Sequence, residues 1–315
     1  MKSLLALFNT KVMKIHAAYC YILILFLISC YQKDEEVCLH QSFEVSIYGN
    51  FDKVSLKTIF SEAHPYCIIS VIQNDLEIGR HSFYLEFPDE TTAVGFMQGT
   101  KLPLYELTLP IGDYHLLAWI DYRITEDTSY YMTENLRAIR MKDGVADVRK
   151  EAYAACLPLT LSSDNLVTQA FSLVFYSPLS SYTLTTDLGE INTDESMNSI
   201  LTYKGYVPVT YDILTERCVA SLLNPSVRYS DIQKKGENFV VASDYIFTDK
   251  NKVTPIDMEV TIGDSSGGII YHVSSVSLSL KSAGHVAKYV EMKDLGEGNI
   301  IDGEISGEID IVINL

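Results

Sequence analysis

Apolar residues recur along the chain at every second position or in short continuous runs, bounded by Gly, Pro, Asn and Asp. That pattern predicts strands and turns. Phe43–Tyr48 alternates and is expected to stop at Gly49-Asn50, Tyr66–Ile72 is a β-branched run, and His81–Phe87 alternates up to Pro88-Asp89. Asp113–Tyr122 is apolar on both faces, which predicts a central strand. Helical signals are few, and Ser55–Ala63 and Val148–Ala155 are the two segments expected to form short helices. A second set of strands follows: Leu166–Tyr176 and Ser181–Thr186 on either side of Pro178, Tyr206–Ile213 after Gly205, and Phe239–Phe247 before Asp249-Lys250-Asn251. Pro255–Ile262 and Ile269–Leu280 flank a glycine-rich turn and read as a hairpin. Strands this numerous, without long helices between them, predict an all-β protein built of sandwiches rather than a parallel sheet. The boundary between two domains is expected near Pro158–Asn165, giving 38–160 and 161–315, and no solenoid-type repeat is present.

The N-terminus breaks this pattern. A short basic stretch precedes Ala17–Ser29, an apolar segment too short to span a bilayer comfortably, so residues 1–29 read as an export signal. Leu27-Ile28-Ser29-Cys30 resembles the bacterial lipobox, in which the cysteine sulfur is linked to diacylglycerol and the chain is cut just before it. A small residue beside the cut and a thiol at the new N-terminus are what that chemistry needs, and Ser29-Cys30 supplies both. An uncleaved membrane anchor is disfavoured, because a stop-transfer segment would be flanked by basic residues. Met13 makes a more usual start for such a signal than Met1. Residues 30–37, with Asp34-Glu35-Glu36, form an acidic tether and resemble the surface-export signals of Bacteroidota lipoproteins. The expected location is therefore the cell outer membrane, lipid-anchored and facing outward.

Composition narrows the partners. Removing residues 1–29 takes away Lys2, Lys11 and Lys14 and no acid, so the net charge goes from −17 to −20 over the 286 residues that remain. Such a chain repels nucleic acid and anionic headgroups, so no nucleic-acid partner is expected. Beyond Cys20 and Cys30, the cysteines are Cys38, Cys67, Cys156 and Cys218. Four thiols allow three complete pairings, but these are widely spaced, and mostly buried free cysteines are expected, with Cys38 the most exposed. No C-x-x-C occurs.

Candidate catalytic chemistry is thin. Gly263-Asp264-Ser265-Ser266-Gly267-Gly268 superficially looks like a serine-protease nucleophile loop, but between two strands it reads as a glycine-rich turn. The seven histidines are scattered with no metal-ligand spacing. No catalytic set, cofactor or metal is expected. The 21 tyrosines are more suggestive: Tyr130-Tyr131 and Tyr203–Tyr206 sit near turns, where exposed rings could stack on sugars or fill an interface. The bland alternative is that tyrosine is a good strand residue.

Several stretches together resemble one family. Leu109–Tyr122 resembles the L-P-x-G-x-Y-x-L-x-x-W-x-D-Y strand of fimbrillin-like lipoproteins from Bacteroidota, followed by a loop like Tyr131–Leu136 and then a stretch like Val148–Tyr153. Thr185-Thr186-Asp187-Leu188, Tyr206-Val207-Pro208 and Ala242–Phe247 resemble further segments of it, so the likeness runs over residues 38–295. The family is similar to the minor-fimbrium anchoring subunits. The resemblance implies two tandem transthyretin-like β-sandwich domains and fimbrial partners joined by β-strand addition, in which backbone hydrogen bonds and alternate side-chain pockets hold the subunits. A lipidated member would hold a fimbrium at the cell surface or limit its growth. A stand-alone glycan- or host-ligand-binding lipoprotein, with Tyr130 and Tyr131 as contacts, is the alternative.

Overall fold

The computed structural model describes residues 42–51, 64–87, 90–97, 99–125, 128–142, 144–145, 150–164, 168–188, 197–205, 207–221, 227–236, 238–263, 269–294 and 308–311. Cys30, the tether, Cys38, Ser55–Ala63 and 264–268 lie outside them.

The described chain is all-β. Its early strands are β1 (Ser42–Phe51), β2 (His64–Gln73), β3 (Leu76–Tyr84), β4 (Leu102–Pro110), β5 (Gly112–Arg123), β6 (Tyr131–Met132), β7 (Ile139–Met141), β8 (Gly144–Val145) and β9 (Ala152–Leu161). Among the described residues the single α-helix is α1 (Glu90–Met97). Then come β10 (Thr168–Phe175), β11 (Leu179–Thr186), β12 (Asn198–Lys204), β13 (Pro208–Asp212), β14 (Arg217–Ser221) and β15 (Val227–Asp231). The last are β16 (Gln233–Lys235), β17 (Asn238–Phe247), β18 (Thr254–Gly263), β19 (Ile269–Leu280), β20 (His285–Val290), β21 (Lys293–Asp294) and β22 (Glu308–Ile311). They form five sheets, ordered β10-β1-β4, β3-β2-β5-β9, β14-β13-β7-β6, β16-β17-β11-β20-β22 and β21-β19-β18-β12-β15-β8.

Packing groups the described chain into two compact units. One takes 42–47, Tyr105–Asp113 and Thr160–Phe171. Alternate positions turn inward in it, so Phe43, Val45, Leu107, Leu109 and Leu161 are buried, and Thr160 donates to the Asp113 carboxylate at 2.7 Å.

The other unit holds the remaining described residues. Its five- and six-stranded sheets pack face to face. Tyr182, Leu184 and Val241 from one meet Leu201, Met258 and Val260 from the other. This is the period-2 pattern of a sandwich core, each aliphatic contributing about 1.5–3 kcal/mol on burial. A separate core lies between the β3-β2-β5-β9 and β14-β13-β7-β6 sheets, around Ile68, Leu117, Trp119, Tyr131, Ile139 and Tyr211. β5 sits inside its sheet with Tyr114 and Leu116 through Arg123 buried, as its two apolar faces predict. β7 and β8, which precede Pro158–Asn165, pair with β13 and β15, which follow it.

Two local expectations are corrected. β1 runs through Gly49-Asn50 to Phe51. Gly49 is a point of close approach rather than a turn, since a Cβ there would lie 2.6 Å from a Leu104 methyl. Val148–Ala155 is not a helix where it is described: β9 begins at Ala152, and Ala152, Tyr153, Ala154 and Ala155 are buried on both faces. Alanine favours helix locally, but the neighbouring strand β5 offers a ladder, and tertiary context overrides propensity.

Candidate functional site

The tyrosines expected at exposed turns divide. Tyr130 is half-buried, while Tyr131 is 3% exposed. Its hydroxyl donates to the Lys150 carbonyl and its ring meets Trp119 edge-on at 5.0 Å. Tyr131 is a core residue and offers no face for stacking. Tyr203 is likewise fully buried, its hydroxyl bonded to that of Tyr182. Cys67, Cys156 and Cys218 are free thiols. Burial pushes the Cys156 thiol up to about 11, helped by Glu216 and Asp212, and raises Cys67 and Cys218 as well. Such thiols are poor nucleophiles at neutral pH.

Beneath these residues lies a buried ionic cluster that the sequence reading missed. Asp244, on β17, accepts from Lys150 Nζ at 3.0 Å through Oδ1, and from Arg228 Nη1 through Oδ2. The Tyr203 hydroxyl reaches the same Oδ2 at 3.4 Å. All three charged side chains are at most 1% exposed. Arg228 also donates to the Tyr245 carbonyl at 3.1 Å and lies 5.1 Å from the centre of the Tyr203 ring. Burial alone would lower the Arg228 pKa, but Asp244 outweighs it and holds it above its ordinary value. Nearby, Asp121 accepts from Arg123 Nε at 2.8 Å and from the Ser129 hydroxyl at 2.5 Å. Groups so enclosed cannot meet a substrate. Their role is to tie the segment entering β9 to strands β15 and β17.

One accessible feature among the described residues is a groove beside the β2–β3 hairpin, with a volume of about 470 Å³. The hairpin closes through Asn74-Asp75, both left-handed at φ 51° and 64°, a geometry these two residue types tolerate. The floor is Ile72, Leu117 and Leu136, all buried, and Leu76 stands at the lip, 68% exposed. The opposite wall is the 134–137 turn, fixed by Ala138 N–H donating to the Asn135 carbonyl at 2.9 Å and Ile213 N–H donating to that of Leu136 at 3.2 Å. Four carboxylates line the groove: Asp75, Glu77 and Glu134, and Asp212, which is buried. Asp75 accepts from Arg137 at 2.9 Å, and Glu77 from Arg80 at 2.8 Å and Ser70 at 2.6 Å. Asp212 accepts only from neutral groups in the described contacts, Leu214 N–H at 2.9 Å and the Thr215 hydroxyl at 3.0 Å. β3 ends its sheet, and Ile78 is 49% exposed at a bulge in the β2–β3 register.

Comparison with known proteins gives the following. The model of the Family of unknown function (DUF6562) matches residues 64–281. No curated protein matches. Among solved structures, the chain is similar to a fimbrial anchor protein from Porphyromonas gingivalis at 10% identity and a TM-score of 0.42, over 78% of this chain and 90% of that one. It is similar to a fimbrial assembly protein from Parabacteroides distasonis at 12% identity and a TM-score of 0.42, over 79% and 90%. A candidate polysaccharide-binding protein from Bacteroides thetaiotaomicron gives 10% identity and a TM-score of 0.46, over 82% and 100%.

Proposed function

The chain belongs to the Family of unknown function (DUF6562), and we propose that it is a lipid-anchored outer-membrane protein that joins a fimbria-like polymer by β-strand addition. In this reading residues 1–29 direct export, lipid on Cys30 holds the protein to the membrane, and residues 30–37 form the tether to a surface-facing β body. The observation that supports assembly by strand addition is the edge of β3. Among the described residues no strand pairs with its outer side, and Leu76 and Ile78 stand exposed there. A strand edge carrying large apolar side chains is a template for another chain's backbone.

The test is genetic and visual. Deleting the protein is expected to release fimbriae from the cell or change their length, seen by electron microscopy and by shearing. Ile78→Lys, which places a charge on the edge, is expected to weaken attachment while the protein remains folded and membrane-bound. Fimbriae that stay attached at normal length after deletion overturn the reading.

A further inference from the structure

We propose that the outer face of the six-stranded sheet is a carbohydrate-binding platform, on which a neutral glycan stacks one sugar ring on Tyr229 and runs across the strands toward His272. This face belongs to a different sheet from β3, so the site and strand addition stand or fall separately.

Strand register lays the face out in rows. Tyr229 pairs with Ile200, Ile200 with Thr261 and Thr261 with His272, so four side chains form one line across β15, β12, β18 and β19. In the adjoining row Val227 pairs with Thr202, and Thr202 with Glu259. Beyond it Lys204 pairs with Asp257, and Asp257 with Ser277. The intervening residues Leu201, Tyr203, Met258 and Val260 fill the sandwich core, so alternation turns the three rows the other way. That side is open: Tyr229 is 53% and Val227 40% exposed.

Two chemistries meet on the face. Tyr229, Val227 and half-buried Ile200 make a small apolar patch. Beside it Glu259 holds Lys204 at 3.0 Å and His272 Nε2 at 2.9 Å, and Asp257 accepts from the Ser277 hydroxyl at 2.5 Å. A sugar has the same division, with C–H groups on the faces of its ring and hydroxyls at its edge. An aromatic ring suits the first, and carboxylate, imidazole and hydroxyl groups suit the second.

Size and charge select this occupant over others. A stable protein interface covers about 800 Å² per partner around an apolar centre, and three part-exposed side chains fall far short of that. Lys204 and Lys293, which pairs with His272, balance Glu259 and Asp257 while the imidazole is neutral. The face therefore holds little net charge to draw a charged ligand, and an acidic glycan would meet a chain at −17 besides. A neutral glycan meets neither obstacle. From Tyr229 to His272 the line crosses three strand spacings, roughly 14 Å, which is room for a short oligosaccharide rather than a single sugar.

The test is affinity electrophoresis of the full-length protein in detergent, through gels cast with starch, mannan, galactan or xylan, and with alginate as an acidic polymer. Retardation by at least one neutral polymer is expected, and none by alginate. Tyr229→Ala should weaken it about tenfold or more, the scale of one aromatic contact with its covered area, while Tyr229→Phe keeps the ring and most of the binding. Glu259→Gln should weaken it roughly fivefold, since a carboxylate is the stronger acceptor for a sugar hydroxyl. Retardation that survives Tyr229→Ala, or that Ile78→Lys on the β3 edge abolishes, overturns the site. Retardation by alginate alone overturns the choice of a neutral ligand, and retardation by no polymer overturns the platform. Fimbriae lost from the cell with Ile78→Lys but not with Tyr229→Ala would show strand addition and glycan binding to be separate.

Discussion

Replacing Asp244 with Asn preserves the side chain's shape, removes its charge, and takes away the carboxylate that Lys150 and Arg228 share inside the core. Both lie at most 1% exposed, so neither can turn to water without opening the core around it. Breaking a buried pair by removing one partner costs about 3–5 kcal/mol, because the remaining charge is uncompensated. Here one carboxylate serves two cations, which places Asp244→Asn at the upper part of that range. With a urea m-value of about 2–3 kcal/mol/M, the unfolding midpoint should fall by roughly 1.5–2.5 M, followed by tyrosine fluorescence or circular dichroism. The apolar replacement Lys150→Met, Arg228→Met, Asp244→Leu separates charge from packing. It removes all three charges at similar volume and should come out within about 2 kcal/mol of the parent, far milder than the single change. A midpoint shift below about 0.3 M for Asp244→Asn would refute the reasoning, since it would mean that water reaches the cluster.

Two further outcomes are expected. Trp119→Ala should cost about 3–5 kcal/mol in the same assay, because the ring is fully buried against Tyr131 and Phe247. Trp119→Phe should cost much less, since it keeps most of the packing and removes an indole N–H that has no hydrogen-bond partner among the described residues; equal losses for the two would place the energy elsewhere. Stability should also fall in alkali. Burial holds the phenols of Tyr131, Tyr153 and Tyr182 well above 10 in the folded protein, while the unfolded chain titrates near 10. Above that pH the unfolded state binds fewer protons, so the stabilisation is complete below about pH 10 and is lost as the pH rises. A urea midpoint unchanged between pH 8 and 10.5 would contradict it.

Much of the strand pattern was legible. The two apolar faces of Asp113–Tyr122 announced a central strand, and Pro255–Ile262 with Ile269–Leu280 announced the pairing that β18 and β19 make. The ionic cluster was not, for a physical reason. In β15 the apolar residues Val227 and Tyr229 face out and Arg228 faces in, inverting the usual reading of alternation. Nothing local says which face is the core, and Lys150 and Asp244 are 94 positions apart in sequence. Tyr131 and Tyr203 misled in the opposite direction, since proximity to a turn suggested exposure and packing buried both rings. The groove depends on the 134–137 turn standing opposite the β2–β3 hairpin, a juxtaposition that no alternation pattern encodes.

The parallel pairing of β11 with β20 has a consequence for how this chain comes into being. Ser181 lies beside His285, 104 positions later, with hydroxyl and imidazole 2.8 Å apart. A chain delivered N-terminus first across a membrane must pass that whole stretch before this side of β11 finds its neighbour. Contacts so distant in sequence form slowly, and until they do β11 remains an open template for the wrong strand. The period before β20 arrives is therefore when this protein has most need of a chaperone that keeps strangers from its edges.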